Sequence, residues 1–188
     1  MEYRSMLLQP VEAVPTGPEW SHEPKLDGYD MFAAHAFKKT RLISRHGTEY
    51  TDSKRFGVVR DQIEDAVSGL NVVLQGELVG VVNGRHNLHT LWTPGAKIMY
   101  YVFDILEVEG TPLVGKRWST RHEILETILE PQPNVELCPG DTDGELIENL
   151  ARKLGLEGVV SKHHRGVYTQ GRRTARAVKH KFPDYTRD

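Results

Sequence analysis

A chain of 188 residues with 38% hydrophobic and 27% charged residues has the material for one domain with a substantial core, which excludes disordered and fibrous classes. Its single cysteine, Cys138, excludes an internal disulfide and reads as structural. No apolar run reaches the ~20 residues that span a bilayer, Met1 to Pro10 lacks a secretory pattern, and the net charge of −2 lacks the basic excess of a chain built around nucleic acid, so the expectation is cytoplasmic and membrane-free.

In chain order, Pro15 to Pro18 is a short Pro/Gly-rich entry, so residues 1–19 read as a lead-in along the surface of a single domain spanning 1–188. Tyr29 to Phe37 reads as a strand, rich in aromatic and apolar residues. Lys54 to Leu70 carries Phe56, Val59, Ile63, Val67 and Leu70 at helical spacing, with Gly69 near its stop. Val72 to Val82 and Lys97 to Leu106 are β-like, and Asn83-Gly84 between them is a turn signal. Thr120 with Glu123, and Thr142 with Glu145, form capping-box patterns that open helices running to Leu129 and Leu154, the second stopped by Gly155. Glu157 to Lys162 is a last clear strand. The mixture lacks regular βαβ alternation, which predicts an α+β fold with largely antiparallel sheets.

Between Lys162 and Lys181 the chain carries Lys162, Arg165, Arg172, Arg173, Arg176, Lys179 and Lys181 with no acid, a local basic stripe. The nine histidines lack the partners a structural zinc site needs and read as surface or hydrogen-bonding residues. Tyr29, Tyr100 and Tyr101 read as packing.

The chemistry concentrates in ordered segments. Glu23-Pro24-Lys25-Leu26-Asp27-Gly28-Tyr29-Asp30 puts a lysine beside a small turn, where its amine can act as a nucleophile. Then follow Leu42 to Thr51 with Ser-Arg-His-Gly, Val73 to Val79 with Gln-Gly-Glu-Leu, Tyr100 to Leu106 with Val-Phe-Asp-Ile-Leu, Glu157-Gly-Val-Val-Ser-Lys, and Val178-Lys-His-Lys. A lysine attacks phosphorus only as the free amine, and nearby cations such as Lys162, Lys179 and Lys181 favour loss of its proton while stabilising charge on the phosphate. Glu157 suits a hard divalent cation. Phe103, flanked by Tyr101 and Ile105 at strand alternation, is placed to stack on a base.

The first segment resembles the K-x-D-G-x-R signature of nucleotidyltransferases that couple lysine to AMP or GMP. The six segments in order resemble the adenylation domain of ATP-dependent DNA ligases, most closely those of bacterial non-homologous end joining. The resemblance implies an antiparallel, ATP-grasp-like fold with the nucleotide between two sheets, ATP and Mg²⁺ or Mn²⁺ as cofactors, and DNA repair as the setting. Nicked or broken double-stranded DNA is the implied partner. Residue by residue, it implies Lys25 as the AMP acceptor, Glu23 near the adenine amine, Arg45 at phosphate and Glu77 at the ribose. It further implies Phe103 on the base, Glu157 at the metal, and Lys179 and Lys181 at the α-phosphate, with Lys162 a further cation of the nucleotide site.

Two positions depart from the pattern: Asp30 stands where the family carries arginine, and Gln75 where it carries aspartate. The family's C-terminal OB-fold is also expected to be missing, which leaves a minimal or truncated ligase core, a chain that works with an OB-fold domain or repair protein in trans, or one that no longer ligates. These departures motivate one alternative, a weakened or inactive domain that binds nucleotide or DNA; the shared lysine chemistry gives another, an RNA ligase or capping-type enzyme.

Overall fold

The computed structural model describes residues 3–186. In chain order the strands are β1 (Leu7–Pro10), β2 (Trp20–Lys25), β3 (Tyr29–Ala36), β4 (Lys39–Ser44), β5 (Val72–Val82), β6 (Arg85–Asn87), β7 (Lys97–Val108), β8 (Thr111–Pro112), β9 (Val135–Leu137), β10 (Gly158–His163) and β11 (Arg173–Lys181). The helices are α1 (Gly57–Ala66), α2 (Trp118–Ile128) and α3 (Gly144–Lys153). They form an α+β architecture of a four-stranded sheet, β1-β11-β10-β2, and a seven-stranded one, β4-β3-β5-β7-β8 with β6 and β9 at its margins. Pairing is antiparallel except for β1 with β11 and β9 with β7. The expected fold class is thereby met.

The large sheet is apolar on both faces, because each face meets another layer. Met31, Ala33, Leu74, Leu78, Tyr100 and Val102 pack with Val59 and Ile63 of α1 and Leu125 of α2. On the opposite face, Phe32, Val73 and Leu106 meet Tyr168, while Val79, Met99, Tyr101 and Phe103 join Ile147 and Ala151 of α3 and Val159 of the small sheet. A cleft for polar chemistry lies along this second face, where the two sheets approach.

Local rules were overridden where tertiary partners offered a better bond. At α2 the expected capping box at Thr120 does not form: the helix begins at Trp118, because the Trp118 and Ser119 N–H groups donate to the carbonyls of Gly166 (2.6 Å) and His164 (3.1 Å). At α3 the cap is Asp143 and not Thr142, its carboxylate accepting from Leu146 N at 3.1 Å. Gly155 ends this segment as expected, with a left-handed φ of 66°. α1 is shorter than its apolar spacing predicts, yet Phe56, Val59, Ile63 and Val67 are all buried. The lead-in is more than a surface strap, since Leu7–Pro10 adds to β11 as an edge strand.

Phe103 and Ile105 were expected on one face. The register between β5 and β7 slips between Gln75 and Gly76 and again between Val73 and Leu74, so Phe103 and Leu106 fall at irregularities. An extra residue inverts the parity of the strand. Phe103 therefore faces the cleft side with Tyr101, and Ile105 packs on the helix side.

Beneath the cleft, Asp104 and Arg121 form a buried bidentate pair at 2.7 and 2.8 Å, with Arg121 also donating to the Lys116 carbonyl at 2.8 Å. Removing one partner strands a charge in the core. Asp104→Ala is expected to lose about 3–5 kcal/mol in urea unfolding, and a loss below about 1 kcal/mol would show that water reaches the orphaned guanidinium.

Candidate active site

Three neighbouring strands place the site's cations. In the small sheet β10 pairs with both β2 and β11, and the register sets Gly158 opposite Lys25 on one side and Lys181 on the other. Val160 lies opposite Glu23 and Lys179 in the same way. Residues opposed across a sheet share a face, so Glu23, Lys25, Lys179 and Lys181 point together. Gly158 is required by this packing: with a φ of 156°, a Cβ there would collide with the His180 carbonyl.

Glu157, just before β10, is the hub. Its carboxylate accepts from Lys25 Nζ at 2.5 Å on one oxygen and from Lys181 Nζ on the other. Glu157 is 3% exposed, against 18% for Lys25 and 53% for Lys181, so the pair reaches outward from an anchored base. Burial opposes ionisation of Glu157, but Lys25 and Lys181 outweigh it and hold its carboxyl below the ordinary value. Lys179 is pushed down by burial and then by the charges of Lys25 and Lys181. Two lysines on one carboxylate, with Lys179 beside them, leave a net positive floor.

The surroundings of Glu23 are built differently. Glu23 is buried and takes Lys162 Nζ on both oxygens, at 2.8 and 2.7 Å. Lys162 also donates to the Phe103 carbonyl at 2.9 Å and stands 4.7 Å from the Phe103 ring centroid. Lys162 is thus neutralised locally by Glu23 and joins Phe103, apart from the Glu157 hub. A cavity of about 160 Å³ opens beside Glu23, bounded by Ser21, Trp118, His122 and Asp141.

On the facing sheet, Glu77 Oε1 accepts from the Gly28 N–H at 2.9 Å, clamping the turn that follows Lys25. Gly28 lies so close to β5 that a Cβ would strike the Leu78 carbonyl. Burial, then the neighbouring Asp30, push the Glu77 carboxyl up to about 8. Arg45 is exposed at the rim, its Nε donating to His46 Nε2 at 3.0 Å, and its backbone N–H donates to the Asp30 carbonyl at 3.0 Å. The two departures, Asp30 and Gln75, touch: Gln75 Nε2 donates to Asp30 Oδ1 at 2.6 Å. Sequence reasoning did not find this contact, nor the parts played by Ser5 and Tyr168 around it; the shared signal was only that both positions depart from one pattern.

Among the described residues no group of three or more His, Cys, Asp or Glu could hold a metal. Glu157 offers one carboxylate beside lysines, a donor set that suits Mg²⁺ or Mn²⁺ only together with phosphate oxygens.

A family model described as "ATP dependent DNA ligase domain" matches residues 6–181. The chain belongs to the ATP-dependent DNA ligase family. Within it, the chain is 33% identical over 168 residues to the multifunctional non-homologous end joining protein LigD of Mycobacterium bovis, covering 87% of this chain and 22% of that protein. It is 33% identical over 174 residues to LigD of Pseudomonas aeruginosa, covering 86% and 20%. The chain therefore spans about a fifth of the length of these relatives. A solved structure titled mycobacterial DNA ligase D complexed with ATP and MES superposes with a TM-score of 0.82 at 26% identity, covering 95% of this chain and 60% of that one. The ligase domain of M. tuberculosis LigD does so at 0.81 and 26%, covering 95% and 59%. The chain has the adenylation domain of a LigD-type ligase, and among the described residues no OB-fold is evident. No helix among the described residues is long and apolar enough to cross a membrane.

The raised Glu77 carboxyl has a thermodynamic consequence. Its folded value lies above the unfolded value of 4.5, so stability is greatest below that value and declines until pH passes about 8. Glu77→Gln should remove this slope: thermal unfolding of the variant is expected to vary less between pH 5 and pH 8 than that of the wild type, and parallel profiles would refute the assignment.

Proposed function

We propose that this domain binds ATP in the cleft and transfers AMP to Lys25, then to the 5′-phosphate of nicked or broken duplex DNA, whose 3′-hydroxyl displaces AMP to seal the strand. The observation that carries the reading is the pairing of Lys25 and Lys181 with Glu157, with Lys179 close enough to feel all three charges, in a chain of the ATP-dependent ligase family. In the first step Lys25 Nζ loses a proton to solvent and forms a bond to the α-phosphorus, while the bond to pyrophosphate breaks and pyrophosphate leaves. Lys179 and Lys181 lie where they can hold the α-phosphate and offset the charge that builds on it. Glu157 aligns the amine at rest and would share a Mg²⁺ or Mn²⁺ ion with phosphate oxygens; the ion would supply charge neutralisation.

Phe103 offers the base a ring that also meets Lys162, and Glu23, beside the cavity, lies near the adenine amine in this reading. Glu77 faces the ribose and Arg45 meets phosphate from the rim. The relatives' names point to non-homologous end joining, which makes DNA repair the proposed setting. The OB-fold contribution to pyrophosphate and DNA contacts would come from another domain or protein.

A second reading, nucleotide or DNA binding without AMP transfer, draws on the carboxylate of Asp30 within the electrostatic reach of Glu77. Intact mass after incubation with ATP and Mg²⁺ or Mn²⁺ separates the two. Wild type is expected to gain one AMP and Lys25→Ala none; no gain on wild type, or an equal gain on the variant, would overturn the transfer reading. With the same assay, Glu157→Gln is expected to slow AMP uptake by about 10²-fold or more, because it removes the charge that aligns Lys25 and draws the cation.

A further inference from the structure

Asp30 is the last acceptor of a directed hydrogen-bond chain. The Met6 N–H donates to the Tyr168 hydroxyl at 3.1 Å, so the hydroxyl proton is directed to Gln75 Oε1, at 2.6 Å. With its oxygen so engaged, the Gln75 amide turns its nitrogen to Asp30 Oδ1 (2.6 Å) and Ser5 Oγ (3.1 Å). Gln75 is 3% exposed, Tyr168 5% and Ser5 7%. In such a buried chain each donor direction fixes the next, and a misplaced donor has no water to turn to. The position after Gln75 Nε2 therefore calls for an acceptor.

Residue 30 also borders the nucleotide wall. Its carbonyl holds the Arg45 N–H, and it lies directly across the β3–β5 ladder from Glu77, which clamps the turn after Lys25 through the Gly28 N–H. The chain thus connects the segment before β1 and the segment after β10 to the wall opposite the lysines.

We propose that Asp30 and Gln75 are a matched positioning pair, in which one carboxylate facing one amide sets the nucleotide wall, so that the two exchanges away from the family pattern work as a unit. The rate readouts rest on the adenylation reading; the pairing does not. Restoring arginine at position 30 alone should then harm the site, since a guanidinium would confront the Gln75 donor.

The variants are Gln75→Glu, Asp30→Asn, the double Asp30→Asn with Gln75→Glu, and Asp30→Arg with and without Gln75→Glu. Gln75→Glu puts two carboxylates face to face, and ATP half-saturation of AMP uptake is expected to rise by about tenfold or more. Asp30→Asn keeps an acceptor and stays within about threefold of wild type. The first double variant exchanges amide and carboxylate across the contact and recovers most of the Gln75→Glu loss. Asp30→Arg slows uptake, and adding Gln75→Glu, which gives the guanidinium a carboxylate, restores it. A purely structural pair would lower the adenylated fraction without moving the ATP dependence.

The thermal midpoints of all variants, with and without ATP, are read in parallel. If wild type takes up no AMP, the transfer reading fails, while non-additive midpoints and ATP-induced shifts in the two cycles still support the pair. Asp30→Arg loading AMP as fast as wild type, or additive effects in both cycles, overturns it.

Discussion

A buried carboxylate holding two ammonium groups organises the cleft. Glu157 is enclosed at the root of β10, while Lys25 and Lys181 reach it from the strands on either side. Such an arrangement needs three strands in fixed register, because a one-residue slip in β2 or β11 would turn its lysine to the opposite face. The small sheet, its glycine at 158 and the packing of α3 behind it all serve that register.

The same demand, that charge near the core be matched, recurs at each layer below. Glu23 is answered by Lys162, and Asp104 by Arg121. These pairs separate the site into one end where the cation, Lys162, is neutralised by Glu23, and another where Lys25 and Lys181 share Glu157 with Lys179 beside them. This division follows from contact geometry: Lys162 and Lys181 look alike in a basic stripe, yet one is 5% exposed and the other 53%.

Much was legible without coordinates. The strands at Val72–Val82 and near Tyr29, Lys97 and Gly158, the buried faces of α1 and the stop at Gly155 followed from local pattern, since apolar spacing and left-handed glycine act over short range. The helix caps did not: Thr120 and Thr142 carried a valid local signal, but the carbonyls of His164 and Gly166 and the carboxylate of Asp143 were better placed. Nor did the side to which Ile105 points, because a register slip belongs to a pair of strands and leaves no mark on one.

By itself the sequence determined the family, the order of the chemical segments and the residue types they supply, for these are properties of linear order and composition. The tertiary structure decided which of those residues meet. It drew Lys25 and Lys181 to Glu157, sent Lys162 to Glu23 and Phe103, and joined Asp30 to Gln75 across 45 residues of chain. The reason is that a buried hydrogen bond or ion pair is chosen by register and by competition among partners, and both exist only once the sheets have closed on each other.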